Sequence, residues 1–210
     1  MFISVNRSYN PVMPYLLKTV PEPEPLDCRI LTAGLELFVE RGYHKVSVHD
    51  IQKTAGVSIG SIYNHFGGKE GIARSLYDHL LLELDELIDI VEQESDGVRA
   101  QCDNMVRRLF EFTETHRYMV AFVFNAKHTE FLTESLPINR TPPFLRLLGK
   151  ISDAIERGEI RPVSPVVAHT LIFGSCVRLI NLRIDGVIDE PLMAHFDELM
   201  HTVWRGLQPD

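Results

Sequence analysis

The chain has 210 residues, 45% of them hydrophobic, and a formal net charge of −8. That is enough apolar material to bury a core in one or two small domains. The three cysteines, Cys28, Cys102 and Cys176, are far apart and odd in number, which excludes a disulfide framework and zinc-ligand spacing and points to a reducing cytoplasm. No apolar run reaches the roughly 18 residues of a membrane span, since Leu80 to Leu84 is interrupted by Glu83. Arg7, Asn10, Pro11 and Pro14 break up any signal-peptide apolar region.

The charge is unevenly placed. Residues 26–72 carry Arg29, Arg41, Lys45, Lys53 and Lys69 against Asp27, Glu36, Glu40, Asp50 and Glu70, and so sum to zero. Residues 1–25 also cancel, so the whole excess of −8 follows residue 72. A neutral head on an acidic body is compatible with nucleic-acid binding if the body faces away from the phosphates.

The first 25 residues read as an irregular proline-rich arm, because the alternating prolines of 21–25 favour an extended chain over a helix. A first helix is expected over Leu26 to Arg41, with Ile30, Ala33, Gly34, Leu37 and Phe38 at helical spacing and Gly42 at its end. Ser47, with Asp50 three residues on, caps a second short helix whose Ile51 and Ala55 share a face. Gly56 ends that helix where a positive φ is wanted, Val57 plugs the angle, and Ser58 caps a third helix with Ile62 and Phe66 pointing inward. The outer face of this third helix carries Ile59, Gly60, Ser61, Tyr63, Asn64 and His65, mostly small or polar. A short helix with a packed back and a small, hydrogen-bonding front fits a major groove, so Ser47–Lys69 reads as a helix-turn-helix.

A fourth helix, from Lys69 to about Gln93, carries the stripe Ile72, Leu76, Leu80, Leu84, Leu87, Ile88 and Val91. At roughly 37 Å it is long enough to link the head to a separate body, and a shift of its foot would swing the head. Gly68 before it is a weak cap. Further helices are expected over Val98 to Thr115, Arg117 to Ala126, Pro142 to Arg157, Pro165 to Asp185 and Glu190 to Arg205, with a loop over 127–141. There is no strand pattern of weight, so the expected fold is all-α.

The run I-Y-N-H-F-G-G-K-E around Tyr63, His65, Phe66, Lys69 and Glu70 resembles the end of the DNA-binding domain of TetR-family transcription regulators. Ile30, Leu31, Ala33, Leu35, Leu37, Phe38, Gly42 and Tyr43 resemble that family's first helix. Val46 to Ser58 resembles its second helix and turn, so the match covers about residues 28–72. The resemblance implies an N-terminal helix-turn-helix domain at 26–72 and a helical regulatory and dimerisation domain at 73–210. It also implies a homodimer on a palindromic operator that a small hydrophobic effector releases, most simply a repressor, with activator or global regulator of the same family as alternatives. No enzyme is expected, since the nucleophile-elbow, P-loop, dinucleotide and HExxH patterns are lacking, and no cofactor.

Candidate contacts with double-stranded DNA follow by residue type. Ser47, Tyr63, His65 and Lys69 suit phosphates near helix N-termini, while Ser58, Ile59, Gly60, Ser61 and Asn64 occupy the exposed side of the reading helix. Tyr63 could instead pack on the first helix, and His65 could bond the domain backbone. In the body, Met105, Leu109, Phe110, Phe112, Tyr118, Met119, Phe122 and Phe131 gather aromatics and methionines. Each by itself is ordinary core, and the resemblance implies a hydrophobic effector cavity for the region as a whole. Asn125 and Arg178, with His116 and His128, could anchor the polar part of an effector. The last two helices are apolar on more than one face, which marks helices that are central or shared. The resemblance implies that they pair with their copies across a two-fold axis, through Leu171, Gly174, Ser175, Leu192, Phe196, Leu199, Met200 and Val203. A helical ligand-binding or interaction protein that leaves DNA alone is the competing reading.

Overall fold

The computed structural model describes residues 24–125, Leu132 and residues 137–209. The arm up to residue 23, and with it most of the predicted irregular segment, lies outside these residues, as do His128, Phe131 and the side chain of Asn125. The described residues are helical, without strands. Their contacts divide the chain into two compact units, with the division between Leu80 and Leu81.

The first unit is built from α1 (Leu26–Arg41), a short 3-10 turn (Tyr43–Lys45), α2 (Val48–Ala55), α3 (Ile59–Phe66) and the beginning of α4 (Lys69–Glu94). Ile30, Leu31, Leu37 and Phe38 of α1 are buried with Val46, Ile51, Ala55, Val57, Ile62 and Phe66. Three short helices close one core because each turns its apolar stripe to the same centre. The unit runs past residue 72 because Ile72, Ala73, Leu76, Tyr77 and Leu80 of α4 are buried too.

Gly56 ends α2 in the left-handed region (φ 63°, ψ 41°) and its N–H donates to the Gln52 carbonyl. Gly68 differs from the weak cap expected of it. Its φ is 131°, directly after Gly67 at 71°, so the chain reverses through two successive positive-φ residues before α4. A serine at 68 would be a better cap by side chain but would be strained by its backbone.

In the second unit α4 continues to Glu94 and is followed by α5 (Gly97–Thr115), α6 (Arg117–Asn125), a 3-10 turn (Ile138–Arg140), α7 (Pro142–Glu156) and α8 (Pro165–Ile184). A last 3-10 turn (Leu192–His195) runs into α9 (Phe196–Leu207). The final helix thus opens with a tight turn rather than the expected α-helical one. Glu114 explains its placement, since its carboxylate accepts from Leu192 N at 2.9 Å while Arg183 holds it from the other side at 2.9 Å. A buried cluster of Leu87, Ile88, Val91, Met105, Phe110, Ile151, Ile172, Cys176, Phe196 and Trp204 joins α4, α5, α7, α8 and α9.

Two features of α8 depart from expectation. A five-residue π-helical turn (Thr170–Gly174) interrupts it. There Thr170 Oγ1 donates to Val166 O (2.7 Å) and Ser175 Oγ to Leu171 O (2.5 Å) and Ile172 O (3.1 Å), hydroxyl bonds that compete with the α-helical ladder. In addition, Pro165–Ile184 is long and apolar enough, by length and composition, to cross a membrane, with a mean hydropathy of 1.4 over its best window. The expectation of no such stretch fails because Arg178 and Arg183 fall late in an otherwise apolar run. Its apolarity has another outlet, because Ile172, Phe173, Cys176 and Ile180 are in the core of the unit.

Candidate nucleic-acid interface and effector region

The candidate surface begins at two capped helix starts. Ser47 Oγ accepts from Asp50 N (3.2 Å), while Asp50 Oδ2 accepts from Ser47 N (2.8 Å) and from the Ser47 hydroxyl (2.5 Å). These bonds hold the Asp50 carboxyl below the ordinary carboxylate range, with a lesser push from Arg41 at 3.9 Å. The reciprocal pair is the expected capping box with Asp in place of Glu. At α3, Ser58 Oγ accepts from Ser61 N at 3.1 Å, and the two hydroxyls are 2.8 Å apart.

Beyond that cap, Ile62 and Phe66 are buried, whereas Ile59, Gly60, Tyr63, Asn64 and His65 are exposed and Ser61 is half-buried. Tyr63 is 54% exposed, so it does not serve as core packing on α1. Its ring edge lies 3.5 Å from where a Cβ on Gly68 would stand. Gly60 faces open space, since an added Cβ would meet only Ser58 Oγ, at 3.8 Å. Lys69 is engaged within the protein. Its Nζ donates to Tyr43 O at 3.0 Å and sits 4.1 Å from the centre of the Tyr43 ring, and burial lowers its pKa. The structure thus gathers the predicted DNA-facing side chains around α3 and its flanks, with Lys69 doubling as a tie to the turn before α2.

Two residues that sequence reasoning missed hold the turn between α2 and α3. Arg29 Nη2 donates to Ala55 O (2.5 Å) and Gly56 O (3.0 Å), a cation on the carbonyls that end α2. Gln52 Nε2 donates to Val57 O at 2.9 Å. Arg29 lies 26 residues before Ala55, and no local pattern announces the contact.

Comparison with known proteins bears directly on this surface. Residues 30–76 match the family model for bacterial regulatory proteins of the tetR family. The head is thus similar to the DNA-binding domain of that family. The chain is 26% identical over 150 residues to the HTH-type transcriptional regulator UidR of Escherichia coli strain K12, covering 67% of this chain and 72% of that protein. Similarity to the fatty acid metabolism regulator protein of Bacillus subtilis strain 168 is 25% identity over 157 residues, 73% of this chain and 81% of the relative. The fold is shared with FadR of Bacillus subtilis in complex with stearoyl-CoA, at a TM-score of 0.68 and 22% identity, covering 85% of this chain and 97% of that one. FadR of Bacillus halodurans superposes with a TM-score of 0.67 at 20% identity, over 86% and 98% of the two chains.

In the second unit, Met105, Phe110, Met119 and Phe122 of the predicted effector set are deeply buried, Leu109 and Phe112 half-buried, and Tyr118 and Arg178 exposed. Phe110 packs edge-on against Phe196, with ring centres 6.5 Å apart, so it ties α5 to α9. His116 stacks on Phe112 at 4.2 Å, and burial lowers its pKa. A narrow crevice of about 20 Å³ runs among Ile88, Val91, Met105, Ile151 and Phe173, with Glu92, Gln101 and Lys150 also lining it. That is room for about one water. Among the described residues of the predicted set, Met105 alone lines the crevice. Arg146 and Lys150 of α7 bind the acidic side of α4 beside it, Arg146 at 3.0 Å from Asp85, 2.6 Å from Asp89 and 2.8 Å from Glu92, and Lys150 at 2.9 Å from Glu92.

The predicted dimer residues fall into two groups. Leu192, Phe196, Met200 and Val203 are in the protomer's own core, so their side chains are already engaged with α5, α8 and α9. Leu171 and Gly174 are exposed and Ser175 and Leu199 half-buried. The exposed side of α8 gains Val166 at 60% and Val167 at 47% exposure, which the sequence did not separate from core. Trp204 Nε1 donates to Asp103 Oδ1 at 2.6 Å, another use of α9 within the protomer.

Proposed function

We propose that the protein is a ligand-responsive transcription regulator, most simply a repressor, that binds a two-fold DNA operator as a homodimer in the cytoplasm. The observation that carries this is the outer face of α3, where Ile59, Gly60, Tyr63, Asn64 and His65 are all exposed over a buried Ile62 and Phe66. A helix with that division offers hydrogen-bonding and methyl-reading groups to base edges, and Asn64 has the two-sided amide that pairs with adenine. Ser47, Tyr63, His65 and Lys69 flank it as phosphate contacts, with Ser58 and Ser61 beside the base-reading groups. Val166, Val167 and Leu171, with Gly174 and Ser175, form the apolar face of α8 that a second copy would cover.

The effector is a small, largely apolar molecule. Support comes from the methionine- and phenylalanine-rich α5 and α6 and from the long acyl chain of the stearoyl-CoA in complex with the Bacillus subtilis protein of the same fold. The crevice beside Met105 and Phe173 is its point of entry and must widen to admit it, so a ligand that favours the widened state shifts the protein toward that state. The protein's own role is binding rather than catalysis.

The experiment is selection from a random duplex pool on the purified full chain, followed by titration of the enriched duplex at several salt concentrations. A two-fold-symmetric site whose affinity falls steeply with salt is expected. No enrichment at low salt would sink the DNA reading and leave the helical ligand-binding alternative.

A further inference from the structure

Four polar side chains are buried in the second unit, Glu83, Thr113, Thr141 and His169. Burial of a polar group is costly unless a partner replaces its water. Thr113 Oγ1 donates to Leu109 O and Thr141 Oγ1 to Ile138 O, each at 2.6 Å, and Glu83 is engaged as well. His169 differs. It is 9% exposed, and its imidazole has no hydrogen-bond partner among the described residues. Its neighbours are aromatic, with the ring of Phe144 on α7 centred 4.5 Å away and that of Phe173 on α8 5.0 Å away. The π-helical turn Thr170–Gly174 begins at the next residue, and such turns inside α-helices recur at functional sites. Phe173 of that turn and Leu147 of α7 both line the crevice. Phe144 precedes Leu147 by three residues and His169 precedes Phe173 by four, so the imidazole stands about one helical turn, roughly 5 Å, beyond the crevice wall along both helices. Burial lowers the pKa of His169, so near neutral pH the ring is uncharged, with one nitrogen donating and the other accepting.

We propose that His169 is the polar anchor of the effector and selects a neutral, largely apolar molecule bearing one hydroxyl or carbonyl oxygen. The proposal rests on the crevice being the effector's point of entry. The hydrocarbon part occupies the crevice among Val91, Met105, Ile151 and Phe173, and the oxygen reaches one turn further to the imidazole. A carbonyl accepts from the ring N–H, and a hydroxyl either accepts from it or donates to the other nitrogen. A carboxylate or ammonium group would lose its water against Phe144 and Phe173 and find no opposite charge on an uncharged ring, so charged groups are disfavoured at this position. An alkane or plain arene would fill the crevice but leave the imidazole as it stands, without a partner.

The test is calorimetric titration of the full chain with two small probes that differ by one hydroxyl, ethylbenzene and para-ethylphenol. The parent should bind both. In His169→Phe the affinity for para-ethylphenol should fall about tenfold, because its hydroxyl is then buried against apolar rings without a partner, while ethylbenzene stays within about twofold of the parent. His169→Gln keeps a donor and an acceptor and should retain most of the affinity for the phenol. Should neither variant fold, the imidazole nitrogen resonances of the parent carry the test: para-ethylphenol should shift those of one histidine well beyond any change that ethylbenzene produces. An unchanged ratio of the two affinities in His169→Phe, or equal shifts from both probes in the parent, overturns the proposal and leaves the effector reading standing. Loss of both probes by the same factor also overturns it, since the ring then only shapes the crevice. No binding of either probe to the parent sinks the effector reading and this proposal with it.

Discussion

Arg29 is the residue whose loss should separate the architecture of the head from its charge. Its guanidinium reaches from α1 to two carbonyls at the end of α2, Ala55 O at 2.5 Å and Gly56 O at 3.0 Å. Hydrogen bonds from a charged donor contribute about 1.5–3 kcal/mol when buried. Arg29 is only half-buried and one of its two bonds is at the surface, so solvent screening reduces the total for Arg29→Met to about 2 kcal/mol. That free energy is local to the turn that aims α3, and it should raise the opened population of α2 and α3 about 30-fold. Amide hydrogen exchange resolved by segment is the assay, with α5 and α9 as internal references that should not change. Arg29→Lys keeps the charge but has no fork for two carbonyls, and should lose about half as much. Because that variant leaves the head's net charge unchanged, any weakening of its DNA binding reports misplacement of α3 rather than lost electrostatics. Wild-type exchange in the α2–α3 segment of Arg29→Met would refute the reasoning.

Three further outcomes are expected. Ser47→Ala should destabilise the start of α2 near neutral pH. The folded-state pKa of Asp50 is depressed by Ser47, so this part of the stabilisation is present above the ordinary carboxylate range and disappears as pH falls through the depressed value; circular dichroism melts of variant and parent should draw closer in acid, keeping the share due to the Asp50 N–H to Ser47 Oγ cap bond, and a gap that does not change with pH would contradict it. Arg146→Met should leave Asp85 and Asp89 without their Arg146 ion pair and Glu92 paired with Lys150, costing about 1–2 kcal/mol at low salt and less at 1 M salt, since Arg146 and its three carboxylates are partly exposed. Urea unfolding followed by the single tryptophan, Trp204, reads this directly, and a loss that grows with salt would be inconsistent with it. Burial pushes the Cys28 thiol up to about 11 and those of Cys102 and Cys176 to about 12. Iodoacetamide at pH 8 should therefore label the native chain at least about 100-fold more slowly than the unfolded chain, and one rapidly labelled cysteine would contradict the assigned burial.

Much of the head is legible in the order of its residues. Ser47 with Asp50, the glycine at 56, Ser58, and the apolar spacing of Ile51, Ala55, Ile62 and Phe66 are local signals, because caps, positive-φ turns and helical faces are set within a few residues. They place α1, α2 and α3, and they separate the exposed Tyr63 and Asn64 from the buried Ile62 and Phe66. The limits of most body helices are legible for the same reason, through Pro142 and Pro165 at helix starts and Gly158 and Gly186 after helix ends.

What the tertiary structure decided is which partner each side chain meets. Arg29 clasping the end of α2, Lys69 bound to the Tyr43 carbonyl, Glu114 fixing the start of the last helical segment and Arg146 gathering three carboxylates of α4 all join residues far apart in sequence. Helical spacing says that Val166, Leu171, Phe196 and Met200 are apolar, but the same pattern serves an internal core and a face awaiting a second copy. Packing alone separated them, turning Phe196 and Met200 inward and leaving Val166 and Leu171 outside. Likewise the aromatics of α5 and α6 fix a hydrophobic interior by composition, whereas the crevice of about 20 Å³ beside Met105 depends on how closely α4, α5, α7 and α8 pack around it. Local conformation follows from short-range sterics and hydrogen bonding, which are encoded residue by residue. Cavities, ion networks and free faces are properties of surfaces brought together by folding, and no stretch of chain carries them by itself.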